Sequence, residues 1–401
     1  MIKFFFVFIV KFFLKYLIKF FEILFKKKIL IIKIYCDRIG HMGVLTDNFL
    51  RKQQLQKKNI NYYYLGICQS NVPNGYFLKL IKRKIRTIKI PLRIFYFICF
   101  AIKKESFFLD TADNKAYSNY FIFNNTNINF RIPRNDYKQG IKLLEERGFS
   151  LTKKNWYVCF HNRTSDYLES YSKHIYNHKV DFSYHNFRDF AISSYSKALN
   201  YIIEQGGSVI RVGHGSDEKI DFIKKSNFFF DFSGKNRTDF SDIFLISNCK
   251  FFLGGSAGLS VIPYLFHKPL LMTNYTPIFV SSSPRKDCRA IPCLIWSIKE
   301  KRCLHFKEIF SSEIWKYGTL KQFSSNNLKI LNNNENEILD ATRIFLDEIN
   351  SNIKKTPSQK TKKIKEKFNA LLPKTHPGKN NQYYLNSISD VFYLKNKDLI
   401  L

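Results

Sequence analysis

Short apolar runs alternate with helix-period segments along most of this chain. Residues 29–36, ILIIKIYC, read as a strand. Residues 38–43, RIGHMG, follow as a glycine-containing loop, 44–58 as a helix and 62–66 as a strand. That order is a βαβ opening. Residues 75–130 give no clear parse. Residues 135–148 read as a helix closed by Gly148. A second series begins with a strand at 156–160, then a helix at 188–205 ended by Gly206 and Gly207. Strands at 208–212 and 228–232, a short helix at 241–248, and strands at 251–253 and 270–273 complete it. Runs that are apolar throughout suit strands buried on both faces, and the alternation with helices predicts parallel sheets. The expected fold class is α/β, with two Rossmann-like domains, 29–150 and 151–350, facing a central cleft. A helix at 335–349 ends the second domain. A Lys-rich linker and a C-terminal segment, 351–401, follow; the closing apolar pattern is expected to pack back on the body.

Residues 1–28 have a different pattern. Lys3, Lys11, Lys15, Lys19 and Glu22 interrupt an otherwise aromatic and aliphatic run. A spanning helix needs about 20 predominantly apolar residues, and here the longest charge-free stretch is 4–10. Lys11, Lys15 and Lys19 are four apart and share one helix face. This predicts an amphipathic helix lying on an anionic membrane surface; the alternative is a soluble core helix. The basic-apolar stretch 78–104 is either a second membrane-facing surface or an irregular basic helix and strand. No uninterrupted apolar core with a small-residue cleavage site marks a signal peptide.

Net charge is +33. Nucleic-acid binding, a membrane surface and compositional drift towards Lys, Asn, Ile and Phe compete to explain it. No nucleic-acid partner is expected. Eight cysteines form no CxxC pair and no Cys/His zinc spacing, so buried thiols are expected.

The main motifs, 38–43, 161–163, Gly213 and 254–258, all follow predicted strands, where ligands of such sheets bind. The turn Gly254, Gly255, Ser256, Ala257, Gly258 separates a strand from an apolar helix expected to run towards Pro269. Free backbone N–H groups at a helix start suit a phosphate. His161, Asn162 and Arg163 end another strand; Arg163 either meets phosphate or pairs with Asp166. His185 and Arg188 precede a helix, and Asp189 is read as a helix-start residue. Gly213 closes a strand. Asp239 and Asp242 open the helix before the glycine turn, and Asp239 is read as its cap. No Asp-x-Asp triplet, P-loop or full dinucleotide fingerprint is present, so a diphosphate would be held without a metal and no cofactor is expected.

Together VCFHNRTSDYL, DFSYHNFRDF, VIRVG, RTDFSDIFLISNCKFFLGGSAGLSVIPYLFHKP and RIGH resemble a family of bacterial glycosyltransferases of surface-polysaccharide synthesis. The second half is distantly similar to GT-B fucosyltransferases. The resemblance implies a GT-B-like fold and assigns Arg163 to a nucleotide diphosphate. It likewise assigns Ser256, Ala257 and Gly258 to a phosphate turn, and Asp239 and Asp242 to an acidic helix start. Thr164 stands where those fucosyltransferases often carry a second Arg. The expected activity is transfer of a hexosyl or deoxyhexosyl group from a nucleotide sugar to a polysaccharide or lipid-linked acceptor, at the cytoplasmic membrane face. The expected donor side is His161, Arg163, Arg188, Gly213, Asp239, Asp242 and 255–258. The expected acceptor side is Arg38, Gly40 and Asp47, with His41 as base and Asp37 and His185 in reserve. The alternatives are a non-catalytic sugar-nucleotide-binding protein and a nucleic-acid-binding protein.

Overall fold

A computed structural model describes residues 2–56, 62–113, 116–152, 154–165, 167, 171, 180–215, 220–276, 278, 284–351 and 358–401. The chain divides into two compact units. One comprises Met1–Ala116 and Asn125–Arg131, the other Tyr117–Asn124 and Ile132–Leu401.

The first unit holds a four-stranded parallel sheet: β1 (Lys28–Lys33), β2 (Tyr62–Gln69), β3 (Arg86–Ile90) and β4 (Phe108–Asp110). Their spatial order is β3-β2-β1-β4. The helix Ile39–Leu55 follows β1 and takes in what the sequence suggested was a loop at 38–43. The physical reason lies in its apolar spacing. Ile39, Met42, Thr46 and Phe49 are buried at helical intervals that run through Gly40 and Gly43. Two glycines cost about 1 kcal/mol each against alanine, which this burial outweighs. The helices Ile2–Phe25 and Leu92–Ile102 share a core with the sheet, in which Ile18, Phe95, Cys99 and Ile102 meet Ile29, Ile31 and Ile67.

The second unit is built on a six-stranded parallel sheet: β5 (Tyr157–His161), β6 (Ser208–Arg211), β7 (Phe229–Asp231), β8 (Phe251–Gly254), β9 (Leu270–Tyr275) and β10 (Arg289–Pro292). Its order is β10-β9-β8-β5-β6-β7. The strands β5, β6, β8 and β9 are buried along their whole length, as the apolar runs within them favour. A small antiparallel sheet of β11 (Leu294–Ser297), β12 (Arg302–Cys303) and β13 (Leu328–Leu331) adjoins them in the chain.

The helix Arg134–Glu145 belongs to this second unit, where Tyr137 meets Phe244 edge to face. Gly148 ends it at φ 82°. The C-terminal segment does pack on the body. Phe368 and Phe392 lie edge-on to Phe306, and the Ser389 N–H donates to the Ala290 carbonyl at 2.8 Å.

Candidate functional site

From β5 the chain winds outward through β6 and β7, then returns to the other side of β5 with β8, β9 and β10. The crossovers therefore diverge between β5 and β8, and a crevice opens at the carboxyl ends of those two strands. His161 and Gly254 are the last residues paired there. Only glycine allows this approach: a Cβ on Gly254 would lie 2.5 Å from the His161 carbonyl oxygen.

The turn at 254–258 is closed by Ser260. Its hydroxyl donates to the Gly255 carbonyl at 2.6 Å, and its N–H donates to the Ala257 carbonyl at 3.2 Å. Among the described residues, the backbone N–H groups of Ser256, Ala257 and Gly258 donate no hydrogen bond. Gly258 is exposed, and Ser256 and Ala257 are half-buried. The long apolar helix expected after the turn is absent. A 3-10 turn, Leu259–Val261, leads into the short helix Ile262–Leu265, which contains Pro263. A helix dipole sums over aligned peptides, so this one adds little, and only the three N–H groups recommend the turn to an anion.

His161 is buried, and its Nδ1 lies 3.0 Å from the Val212 carbonyl. A carbonyl only accepts, so Nδ1 carries the proton. Burial pushes this imidazole down to about 4, with Arg211 and Arg163 adding to the effect and the Val212 bond opposing it. The ring is neutral at pH 7. Arg163, 7% exposed, forms an ion pair with Asp189. Asp166, the partner weighed from the sequence, lies outside the described residues. The expected helix at 188–205 is broken where Asp189 meets Arg163. Asp189 adopts an extended backbone, φ −81° and ψ 145°, between the 3-10 turns Ser183–Arg188 and Ile192–Tyr195, and the helix proper is Ser196–Glu204.

Asn162 is buried beside Arg163. Its Oδ1 accepts from Arg211 Nη2 at 3.3 Å, and its Nδ2 has no hydrogen-bond partner among the described residues. Arg211, 2% exposed, also faces Asp231, with Nη1 and Oδ2 3.4 Å apart. Sequence reasoning passed over Arg211. The available signal was an arginine set between Ile210 and Val212 in a fully buried strand, where a cation needs a partner.

Gly213 and the acidic helix start are bound within the protein. The Gly213 N–H, at φ 90°, donates to Asp242 Oδ1 at 2.9 Å. Arg237 Nε donates to Asp242 Oδ2 at 2.6 Å, and its Nη2 donates to Asp239 Oδ1 at 2.9 Å. Asp242 is buried, and burial raises its carboxyl against the pull of Arg237. The helix Asp239–Asn248 is capped by Thr238, which exchanges bonds with Ser241; Asp239 is not the cap. His185 and Arg188 pair with each other, Arg188 Nη2 donating to His185 Nδ1 at 2.6 Å.

In the first unit, β1 sits between β2 and β4, so its carboxyl end is also a switch point. Asp37 follows it, and His41 stands in the first turn of Ile39–Leu55. His41 Nδ1 is 2.9 Å from Asp37 Oδ2, and both side chains reach solvent. Burial works to raise the Asp37 carboxyl, but the His41 bond and the charges of His41 and Arg38 outweigh it and hold it below the usual value. Arg38 occupies the N-cap without a side-chain cap bond, and Gly40 is buried. Asp47 points inward. It is wholly buried, bound to Arg51 Nε at 2.5 Å, and accepts from Asn129 Nδ2 at 2.8 Å. It is a structural anion. Among the described residues, no three His, Cys, Asp or Glu side chains gather as a metal site requires.

No protein-family model matches this chain, and no curated protein matches it in sequence. Its fold does have counterparts among solved structures. The glycosyl transferase family 9 protein from Veillonella parvula is 12% identical at a TM-score of 0.50, covering 80% of this chain and 98% of that one. The E. coli ADP-heptose LPS heptosyltransferase II is 10% identical at a TM-score of 0.43, covering 66% and 90%. The E. coli heptosyltransferase WaaC with ADP-2-deoxy-2-fluoro heptose is 9% identical at 0.35, covering 61% and 88%. At these identities the likeness is one of fold, and the Veillonella structure carries it. The mixed α/β fold with parallel sheets is similar to that of GT-B glycosyltransferases.

Proposed function

We propose that this chain is a glycosyltransferase that moves a sugar from a nucleotide diphosphate to a hydroxyl on a polysaccharide or lipid-linked glycan. The observation that carries the reading is the pair of features at the β5/β8 switch point. Three unengaged N–H groups, of Ser256, Ala257 and Gly258, sit at the end of one strand, and buried Arg163 sits at the end of its neighbour. Donors fixed in advance, where charge develops on a departing diphosphate, stabilise it without reorganising. The likeness of fold to a family 9 glycosyltransferase supports the same reading.

Charge stabilisation by backbone N–H groups and arginine makes the proposed mechanism metal-independent. In it, the first unit serves the acceptor. Asp37 fixes the proton on His41 Nδ1, which leaves Nε2 to take the acceptor hydroxyl proton as the sugar transfers. The carboxylate then balances the imidazolium that forms.

The test is incubation with ADP-, GDP-, UDP- and dTDP-linked hexoses, deoxyhexoses and heptoses, with and without a glycolipid extract. Release of nucleoside diphosphate is expected with at least one donor, accelerated by acceptor. Binding without any release would assign the chain to non-catalytic sugar-nucleotide binding.

A further inference from the structure

The helix Ile2–Phe25 has two apolar faces. One stripe, which includes Val7, Val10, Leu14, Ile18 and Phe21, packs into the first unit's core. The opposite face is exposed and largely aromatic: Phe5 is 64%, Tyr16 57% and Phe20 60% exposed. The lysine row predicted from the sequence falls between the two. Lys11 turns to the body and pairs with Glu105 at 2.6 Å, while Lys15 and Lys19 are exposed along the flank of the aromatic face. The helix therefore satisfies its core stripe and still presents a second apolar surface, from Phe5 to Phe25, about 30 Å long.

The helix Leu92–Ile102 shares that core through Phe95, Cys99 and Ile102 and likewise exposes Ile94, Tyr96 and Phe100. Lys103 lies over the Phe100 ring, 4.7 Å from its centroid. Exposed aromatic surface on this scale marks an interaction site, and its rim is cationic. Among the described residues, Lys15, Lys19, Lys26, Lys27, Lys103 and Lys104 form no ion pair.

We infer that these two helices form one docking surface for an anionic lipid bilayer, with the aromatic faces entering the headgroup boundary and the lysines meeting lipid phosphates. Charge complementarity selects this occupant. A second copy would bring the same lysines against each other, whereas an anionic surface neutralises them. No described helix is long and apolar enough to cross a membrane, so the helix would lie in the interface plane. The inference stands independently of the transferase reading, because no residue of the candidate site enters it.

Sedimentation of the full-length protein with vesicles of phosphatidylcholine alone, or mixed with phosphatidylglycerol, tests it. Two variants accompany the wild type: Phe12→Ser with Phe20→Ser, and Lys15→Glu with Lys19→Glu. All four positions are exposed, so thermal unfolding of both variants should match the wild type. The wild type is expected to bind the anionic vesicles and not the neutral ones, and each variant to bind about tenfold or more weakly. Absence of binding, equal binding to both vesicles, or variants that bind as well as wild type would overturn it. So would a lipid-free dimer that the Phe12→Ser, Phe20→Ser variant dissociates, because that assigns the face to a second copy.

Discussion

His41 Nδ1 lies 2.9 Å from Asp37 Oδ2, one helical turn apart at the carboxyl end of β1. The carboxylate fixes the tautomer and leaves Nε2 as the ring's basic nitrogen. His41→Ala is therefore expected to lower kcat by about 10²- to 10⁴-fold, the range of a general base, and to leave donor affinity unchanged. Asp37→Asn should lower kcat by a smaller factor. Steady-state kinetics alongside donor titration separates the two parameters. Loss of donor affinity in step with kcat would remove the pair from catalysis.

His161 is expected to make the fold acid-sensitive. Burial holds its pKa near 4, against an ordinary 6.5. Between those values the unfolded chain binds the proton and the folded chain does not. This contribution to stability is complete above pH 6.5 and is lost as pH falls towards 4. At pH 5 the loss from this one group is at most about 2 kcal/mol. His161→Asn removes the titrating ring, so its denaturant midpoint should fall less than the wild type's between pH 7 and pH 5. Equal slopes would show that His161 is not the sensitive group.

The Asp47–Arg51 pair is wholly buried. Arg51 also donates to Thr126 Oγ1 at 2.9 Å. Arg51→Met strands a buried carboxylate, at an expected cost of about 3–5 kcal/mol. Pairing it with Asp47→Leu should cost less than the single change. Urea unfolding of both variants reads this directly. A harmless single change would return Asp47 to the accessible groups.

The strands β5 to β9 were legible as short apolar runs, such as YVCF and FFL, whereas β10 to β13 were not read from the sequence. The sheet ends that carry the site were legible with those runs. Other features depended on contacts distant in sequence. Gly40 and Gly43 looked like a loop until burial of Ile39, Met42 and Thr46 pulled them into a helix. Asp189 looked like a helix start, but Arg163, 26 residues away, holds it. Asp47 looked accessible; Asn129, 82 residues on, helps enclose it. The N-terminal helix was posed as either a membrane helix or a core helix. Its inner stripe packs into the first unit's core, and its outer face is apolar and exposed.

In the proposed function, the turn at 254–258 holds a nucleotide diphosphate through its N–H groups. Gly258 has φ −60°, which both proline and alanine accept, but only proline lacks the N–H. The deciding measurement is calorimetric titration of wild type, Gly258→Ala, Gly258→Pro and Arg163→Lys with the nucleotide sugars that release diphosphate or shift thermal unfolding. Wild type and Gly258→Ala are expected to bind, and Gly258→Pro and Arg163→Lys to bind at least about tenfold more weakly. A wild type that binds no nucleotide sugar, or a Gly258→Pro variant that binds as tightly as Gly258→Ala, would contradict the proposed function.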